Sequence, residues 1–134
     1  MTLDLVIVDD SRLWLSVAER LAKANPLVER VTVFDDAMDA WVYLQICRPQ
    51  VLMTDIEMPW MNGISFLQMF AGNIPMISSS TKMGYSVLAK EIGCADFLGK
   101  PFKRKDFDKA IETVHRLVYS NTSGRKGIVD VPLP

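Results

Sequence analysis

Acidic residues follow two of the apolar runs in this sequence, at the points where buried strands would end. Asp9 and Asp10 come directly after the run LDLVIV, and Asp55 comes directly after the run VLMT. If these two strands are neighbours, the three carboxylates converge. Two carboxylates about 4 Å apart repel by roughly 4 kcal/mol at an effective dielectric constant near 20, so the cluster needs a proton or a cation. A hard divalent ion with oxygen ligands, such as Mg²⁺, offsets that repulsion.

A lysine and a hydroxyl complete a set of groups that suits phosphoryl chemistry. Lys100 stands before Pro101 at the end of one short run, and Ser78 follows another. A metal ion and an ammonium group neutralise the oxygens of a phosphoryl group, which leaves one carboxylate free to attack phosphorus. On this hypothesis Asp55 lies at a strand end because it is the acceptor.

The same residues also have simpler interpretations. An Asp pair after a strand is typical of a turn with a helix cap, and Asp10 with Ser11 would serve that role unaided. A single lysine such as Lys100 is typical of a solvated surface. The residues alone therefore leave both a capped turn and a phosphoryl site open.

Segments of strand and helix character alternate along the chain, which predicts an α/β domain with right-handed crossovers. Apolar runs predict strands at residues 3–8, 30–34, 51–54 and 74–78 and within ADFLGK. Helical periodicity predicts helices that begin after Ser11 and Asp36 as N-caps, and others at residues 64–70, 87–92 and 107–118. Pro75 fits poorly within the fourth strand, because proline cannot donate to a central ladder. In an open parallel sheet, ligands bind beyond the carboxyl ends of the strands, where the acids fall.

Composition limits the class of protein and of partner. A chain of 134 residues with 49% apolar and 23% charged residues is typical of one globular domain. A net charge of −1 indicates neither nucleic acid nor a membrane surface as a partner. The start lacks the basic region of a signal peptide and no segment is long enough to span a bilayer, so we expect a cytoplasmic protein. Cys47 and Cys94 indicate neither a zinc site nor a disulfide framework.

Four segments together resemble the receiver domain of bacterial two-component response regulators. They are VIVDDS, DIEMPWMNG, the serine-rich end of the fourth strand, and GCADFLGKPF, in that order. The resemblance runs from about Leu3 to about Tyr119 and implies a doubly wound, flavodoxin-like (βα)5 fold, with a five-stranded parallel sheet in the order 2-1-3-4-5 between two helical layers. We expect a single receiver domain at residues 1–120 and a flexible C-terminal tail at residues 121–134, too short for an effector domain. Glu57 and the SSST segment are most similar to receivers of chemotaxis methylesterases, although no G-x-S-x-G hydrolase motif follows.

The resemblance implies roles in phosphorylation for five residues. Asp55 matches the phosphoacceptor and, with Asp9 and Asp10, the carboxylates that bind Mg²⁺. The backbone carbonyl of Glu57 matches the remaining protein ligand of the metal, and Lys100 matches the lysine at the phosphoryl group. The phosphate then comes from a sensor histidine kinase or a histidine phosphotransfer protein. The receiver catalyses only its own phosphorylation and dephosphorylation, so no other enzyme activity is expected.

The resemblance also implies a conformational switch. Counting positions back from Lys100 selects Ser78 as the hydroxyl that reaches the phosphoryl group, whereas counting from Pro75 selects Ser80, and we expect Ser78. Phe97 matches the aromatic residue that turns inward on activation. The face formed by the fourth helix, fifth strand and fifth helix would then bind a downstream effector protein or a second copy of the chain.

Two other functions compete with this one. A pseudo-receiver would fold in the same way and act as a protein interaction module without phosphate. A metal-dependent phosphatase with an aspartyl nucleophile would place a second acid two residues after Asp55, where Glu57 stands, but Pro59 and the absence of a cap insertion oppose it. Trp14 and Trp60 are both expected near the site, as reporters of its state.

Overall fold

The structure is a computed structural model that describes residues 1–58 and 62–124, with side chains described up to residue 120. Strands and helices alternate along these residues. The strands are β1 (Leu3–Val8), β2 (Val28–Phe34), β3 (Val51–Asp55), β4 (Met76–Ser80) and β5 (Asp96–Gly99). The helices are α1 (Arg12–Lys23), α2 (Ala37–Ile46), α3 (Gly63–Phe70), α4 (Ser86–Ile92) and α5 (Arg104–Gly124), with a 3₁₀ turn over Met83–Tyr85 before α4.

The strands form one parallel sheet in the order β2-β1-β3-β4-β5. This confirms the predicted doubly wound (βα)5 fold and its strand order. The order reverses between β1 and β3, which is the position where ligands bind in open α/β sheets. The residues that follow β1 and β3 therefore define the functional edge of this sheet.

Each face of the sheet packs against its own layer of helices. Side chains alternate between the two faces of a strand, and the central strands are buried on both. One apolar layer lies against α1 and α5 and includes Ile7, Met53, Ile77 and Phe107. The other lies against α2, α3 and α4 and includes Val8, Leu52, Met76 and Phe66. Burial on both faces is the reason that β1 and β3 are almost continuously apolar in sequence.

Side-chain caps begin three of the helices. Ser11 Oγ accepts from the N–H of Trp14 at 3.4 Å and begins α1, and Asp36 Oδ1 accepts from the N–H of Met38 at 2.7 Å and begins α2. Both predicted caps are confirmed. Asn62 begins α3 in the same way. Because Ser11 alone caps α1, Asp10 is not used for capping.

β4 spans residues 76–80, two positions later than the predicted strand at residues 74–78. The prediction that Pro75 lies inside the strand was wrong. Pro75 precedes the ladder, and only its carbonyl takes part, accepting from the N–H of Leu52 at 3.0 Å. The strand continues through Ser80 because β3 and β5 flank it and bury all three of its serines, which outweighs the low intrinsic preference of serine for strands.

α5 carries the most regular buried stripe, in which Phe107, Ala110, Ile111 and Val114 are each fully buried. The helix continues to Gly124, past the boundary between domain and tail predicted at residue 121. The rest of the expected tail, residues 125–134, lies outside the described residues. Within the described part of the chain, no helix combines the length and the apolar composition needed to cross a lipid bilayer.

Candidate functional site

Asp9 and Asp55 leave the sheet side by side. β1 and β3 are paired neighbours, with Val8 opposite Thr54 at the last paired position. Only 3% of Asp9 and 5% of Asp55 are exposed, whereas Asp10 is open to solvent. One oxygen from each of these three acids lies within 4.8 Å of the other two. The structure therefore brings the three predicted carboxylates together.

Lys100 reaches this cluster from the other half of the sheet. It follows β5, which is separated from β1 by two strands. Its Nζ nevertheless lies 2.6 Å from Asp9 Oδ2 and 3.3 Å from Asp55 Oδ1. Only 3% of the lysine side chain is exposed, so Lys100 is not a solvated surface residue. A buried ammonium group needs opposite charge around it, and the two acids supply that charge.

The electrostatic environment makes Asp55 unusually basic. Burial raises the pKa of the Asp55 carboxyl from 3.8 to about 6, and the charge of Asp9 contributes to the rise. The Lys100 ammonium and the backbone N–H of Glu57 oppose it. Only the ionised carboxylate can attack as a nucleophile or bind a metal ion. In the metal-free protein, Asp55 therefore loses both capacities as the pH falls below about 6.

The raised pKa predicts a pH-dependent effect of Asp55→Asn on stability. Between about pH 4 and pH 6 the folded protein holds a proton that the unfolded chain has released, so the free energy of unfolding falls as the pH rises through this window. The variant lacks this penalty. We expect Asp55→Asn to match the wild type near pH 4 and to exceed it by up to about 3 kcal/mol near pH 7. Urea unfolding with a chelator at both pH values measures the difference.

A surface acid provides the matched control. Asp35 is partly exposed and pairs with Arg12 at 3.0 Å, so Asp35→Asn should change the free energy of unfolding by less than about 0.5 kcal/mol at either pH. An advantage of Asp55→Asn that stays constant across the pH range would contradict the proposed cause.

The donor set around Asp55 fits a hard divalent cation. Three carboxylates and one ammonium group leave two negative charges uncompensated when all are ionised. Asp9 accepts from Lys100 and, at 3.0 Å, from the N–H of Ser11. The Asp10 carboxylate makes no hydrogen bond or ion pair with any residue that the structure describes. Carboxylate oxygens with open positions for water are what Mg²⁺ prefers, so these three acids are the candidate ligands.

Three consecutive serines on β4 lie at different heights relative to Asp55. The register pairs Thr54 with Ser78 and Asp55 with Ser79, so Ser80 lies one residue further toward the functional edge. The Ser80 carbonyl accepts from the N–H of Lys100 at 2.9 Å. Its Oγ accepts from the N–H of Lys82, also at 2.9 Å. Ser80 is thus the serine at the end of the strand.

Ser78 lies one residue below the site, among apolar neighbours. By strand alternation it shares its face with Met76, which packs in the layer of α2, α3 and α4. Its Oγ is fully buried and has no hydrogen-bond partner among the described residues. Burial raises the pKa of the nearby Cys94 thiol, and the Ser78 hydroxyl partly opposes that rise, although no hydrogen bond of normal geometry joins the two groups.

An ion pair joins the two loops beside the site. Glu57 Oε2 in the loop after β3 lies 3.0 Å from Lys82 Nζ in the loop after β4. The hydrogen bond with Glu57 raises the pKa of the Lys82 ammonium. Both side chains are substantially exposed, so the pair adds little to stability. The pair is a contact between the loop after β3 and the loop after β4.

Gly63 approaches the backbone at Asp55 more closely than any side chain would allow. Its N–H donates to the carbonyl of Ile56 at 2.9 Å. A Cβ at this position would lie 2.3 Å from the Ile56 oxygen and 2.4 Å from the Asp55 oxygen. The start of α3 therefore packs directly against the segment that positions the candidate acceptor.

Two aromatic residues of interest, Phe97 and Trp14, lie in the segments around the site. Phe97 is partly buried on β5 and packs against the layer of α2, α3 and α4. Lys100 Nζ lies 5.8 Å from the ring centre of Trp14, which is within cation–π range. The predicted nearness of Trp14 is confirmed, whereas Trp60 lies outside the described residues.

The fold and the site define a doubly wound α/β protein with an acidic cation site and a buried lysine at the carboxyl edge of its sheet. Residues 5–112 match the family model of the response regulator receiver domain. The chain belongs to this family, which serves two-component signalling. The resemblance seen in the sequence motifs is therefore confirmed at the level of the family.

Curated relatives are similar to this chain over one part of their length. The chain is 36% identical over 107 residues to protein-glutamate methylesterase/protein-glutamine glutaminase 2 of Saccharophagus degradans, covering 75% of this chain and 31% of that protein. It is 39% identical over 102 residues to the enzyme of that name from Agrobacterium fabrum, covering 72% and 29%. The chain thus spans about a third of the length of these relatives.

Solved structures share the fold at lower sequence identity. The chemotaxis response regulator CheY4 of Vibrio cholerae has a TM-score of 0.74 and 21% identity, covering 85% of this chain and 99% of that one. The response regulatory domain of protein mrkE from Klebsiella pneumoniae has a TM-score of 0.79 and 22% identity, covering 87% and 98%. These likenesses establish the fold alone.

Two residues near the site were not predicted from the sequence. Gly63 does carry a signal, because glycine is a poor helix former and yet stands at the first position of a helix, directly after the capping Asn62. Such a glycine indicates a close approach of the backbone. Lys82 carries no such signal. Its partner Glu57 is 25 positions away in sequence, and only the sheet order brings their loops together.

Proposed function

We propose that this chain is a phosphorylation-activated receiver that accepts a phosphoryl group on Asp55. The donor is a phosphohistidine on a sensor histidine kinase or on a histidine phosphotransfer protein. The observation that carries the proposal is the placement of Asp55, buried at a strand end with Lys100 Nζ 3.3 Å away and two further carboxylates beside it. Mg²⁺-dependent labelling by acetyl phosphate tests it, because this small donor needs no kinase.

The chemistry follows from the groups at the site. An Asp55 carboxylate oxygen attacks phosphorus, and an oxygen–phosphorus bond forms as the bond from phosphorus to the donor imidazole nitrogen breaks. The bonding electrons stay on that nitrogen. Charge spreads over the three equatorial phosphoryl oxygens, where the Lys100 ammonium is placed to neutralise it. When bound by Asp9, Asp10, Asp55 and the backbone carbonyl of Glu57, Mg²⁺ supplies further positive charge at these oxygens.

Phosphorylation then changes what Lys100 contacts. In the unphosphorylated protein its ammonium is shared between Asp9 and Asp55. A phosphoryl group on Asp55 is a stronger and more highly charged acceptor, so the lysine exchanges its contact with the carboxylate for one with a phosphoryl oxygen. Through the backbone, Lys100 is bonded to Ser80 at the end of β4, which couples the phosphoryl group to the loop before α4.

We assign the switch hydroxyl to Ser80 rather than Ser78. Both serines lie on the same face of β4, but Ser80 lies one residue beyond the position opposite Asp55, whereas Ser78 lies one residue before it. A hydroxyl is both donor and acceptor. The Ser80 hydroxyl can therefore donate to the phosphoryl group while its oxygen still accepts from the backbone N–H of Lys82. Inward rotation of Phe97, now partly buried, completes the proposed switch.

The serine assignment predicts opposite outcomes for two alanine variants. Ser80→Ala should leave labelling of Asp55 in place but reduce the conformational response to phosphorylation. The variant lacks the hydroxyl that would donate a hydrogen bond to the phosphoryl group. Ser78→Ala removes a buried hydroxyl without a partner, so it should be neutral or stabilising by about 1 kcal/mol and leave the switch intact. Fluorescence of Trp14, in a background where Trp41→Phe and Trp60→Phe remove the other two tryptophans, with a beryllium fluoride phosphate mimic and Mg²⁺ measures the response. A normal response in Ser80→Ala and none in Ser78→Ala would reverse the assignment.

Output and location remain predictions from the sequence. The proposed output surface is the face of α4, β5 and α5, where the exposed side chains of Met83 and Val87 offer apolar contacts to an effector protein or a second copy. A cytoplasmic location accompanies this role. The methylesterase and glutaminase activities in the relatives' names are not part of the proposal, because the match covers about a third of their length.

The pseudo-receiver is the second candidate. Its supporting observation is that Lys100 already pairs with two acids, an arrangement that needs no phosphate to neutralise the ammonium group. It predicts a folded protein with no labelling and no response to the phosphate mimic.

A further inference from the structure

Helix α2 is apolar on nearly every side. In its sequence AMDAWVYLQI, only Asp39 and Gln45 are polar. The side that faces the sheet buries Ala37, Ala40 and Leu44. A helix with one buried side normally presents charged residues on the other. The composition of α2 instead predicts a partner on its outer side.

The outer side of α2 carries a straight apolar ridge. Met38, Val42 and Ile46 follow each other at intervals of four residues, which places them on one face of the helix. Their exposed fractions are 49%, 53% and 82%. Nothing among residues 1–58 and 62–124 covers them to the degree expected for large apolar side chains.

The apolar surface continues from this ridge toward α3. A cleft of about 340 Å³ lies between the two helices, and its lining includes Trp41, Gln45, Arg48 and Met69. Met69 is itself 45% exposed. The ridge and the cleft together form a contiguous surface of the kind that marks a protein interface. We call it the α2 surface.

Charge on the α2 surface reverses from one end to the other. Asp36 and Asp39 lie at the amino end of the helix. Arg48 lies just past the carboxyl end, is exposed, and makes no ion pair with any residue in the described parts of the chain. A partner of uniform charge would be repelled at one end. A partner with the opposite order of charges is attracted at both.

We propose that the α2 surface binds the α2 surface of a second copy of this chain, with the two helices antiparallel. A two-fold axis through Val42 sets Met38 of each copy against Ile46 of the other, so the ridge is complementary to itself. The same axis sets the acidic end of each helix against the Arg48 end of the other. A two-fold interface requires this self-complementarity. Because three ridge residues and one cleft form a small interface, we expect a weak dimer that depends on protein concentration.

Sedimentation of the full chain tests the proposal, with a chelator present and no phosphodonor. α2 contributes no residue to the Asp55 site, so the outcome does not depend on the proposed function. We expect a concentration-dependent dimer that Val42→Glu weakens at least about tenfold, because an acid is then buried at the axis. The matched control is Val87→Glu on α4, which changes an exposed valine of similar accessibility, 66%, on the other candidate surface. Circular dichroism checks that both variants fold.

Mixing two charge variants tests the antiparallel arrangement. Asp39→Lys alone and Arg48→Glu alone should each weaken the dimer, because each puts like charges together at both ends. An equimolar mixture of the two should dimerise better than either alone, since positions 39 and 48 then carry opposite charges at both ends of the mixed dimer. The proposal is overturned if the wild type stays monomeric up to about 1 mM, if Val87→Glu rather than Val42→Glu removes the dimer, or if mixing restores nothing.

Discussion

Replacement of Asp55 by asparagine should abolish labelling of the protein by acetyl phosphate in Mg²⁺, with a loss of at least about 100-fold. Asparagine is nearly isosteric with aspartate but lacks the anionic oxygen that attacks phosphorus. The nearby Asp9 keeps its contacts with Lys100 and Ser11, so it is not placed to take over. The measurement is the mass increase of the intact protein, or incorporation of labelled phosphate, at saturating donor.

Two controls make this result specific. Asp35→Asn removes a surface acid that pairs with Arg12 and should label like the wild type. A chelator should suppress labelling of the wild type, because the three clustered acids then repel the incoming phosphoryl group without a cation between them. Full labelling of Asp55→Asn would mean that another residue is the acceptor.

The rival functions give different results in the same assay. A pseudo-receiver shows no labelling of the wild type at any Mg²⁺ concentration. A phosphatase releases product from a small phosphate ester well beyond one equivalent per chain, whereas a receiver stops near one equivalent or turns over slowly. Labelling of the wild type and its turnover of the phosphate ester together therefore separate all three functions.

The largest loss of stability should come from Gly63→Ala. The added methyl group would lie under 2.5 Å from the carbonyl oxygens of both Asp55 and Ile56. These are backbone atoms that cannot rotate away, so either α3 or the end of β3 must move. We expect a loss of about 3 to 5 kcal/mol in the free energy of unfolding. We also expect reduced labelling under conditions where the variant is still folded, because the same movement displaces the acceptor.

Gly84→Ala is the matched control for this substitution. Gly84 lies in the 3₁₀ turn before α4, and a Cβ built there meets nothing within 4 Å. The expected change in the free energy of unfolding is below about 0.5 kcal/mol. Urea unfolding of both variants provides the measurement. Equal stability of Gly63→Ala and Gly84→Ala would show that α3 shifts freely, and that its contact with the acceptor segment is not a constraint.

Much of the fold could be read from the pattern of residues. β1 and β3 are central strands buried on both faces, and such strands are continuously apolar in sequence. The caps at Ser11 and Asp36 are local, because each side chain bonds to an N–H only two or three residues away. Signals of these kinds do not depend on distant parts of the chain, so they were predicted correctly.

β4 shows where this reading fails. Its serines have little preference for strands. The predicted strand followed the apolar residues before them and was therefore placed two positions too early. The true register depends on the ladders to β3 and β5, which are contacts between distant segments. The sequence-based preference for Ser78 followed from the same early placement, whereas the register supports the proposed assignment to Ser80.

The sequence by itself determined which residues are candidates for the site. Carboxylates, a lysine and hydroxyls stand at the ends of apolar runs, a set of groups that suits a cation and a phosphoryl group but that, taken residue by residue, also fits capped turns and a solvated surface. Tertiary structure alone decided how these groups meet. Lys100 reaches Asp9 across two intervening strands, and the pKa of Asp55 rises to about 6 because packing removes water from a carboxylate beside another acid. Desolvation and charge proximity arise only from the folded arrangement. For this physical reason the sequence predicted which residues gather at the site, but not the pKa of Asp55 or the ion pairs of Lys100.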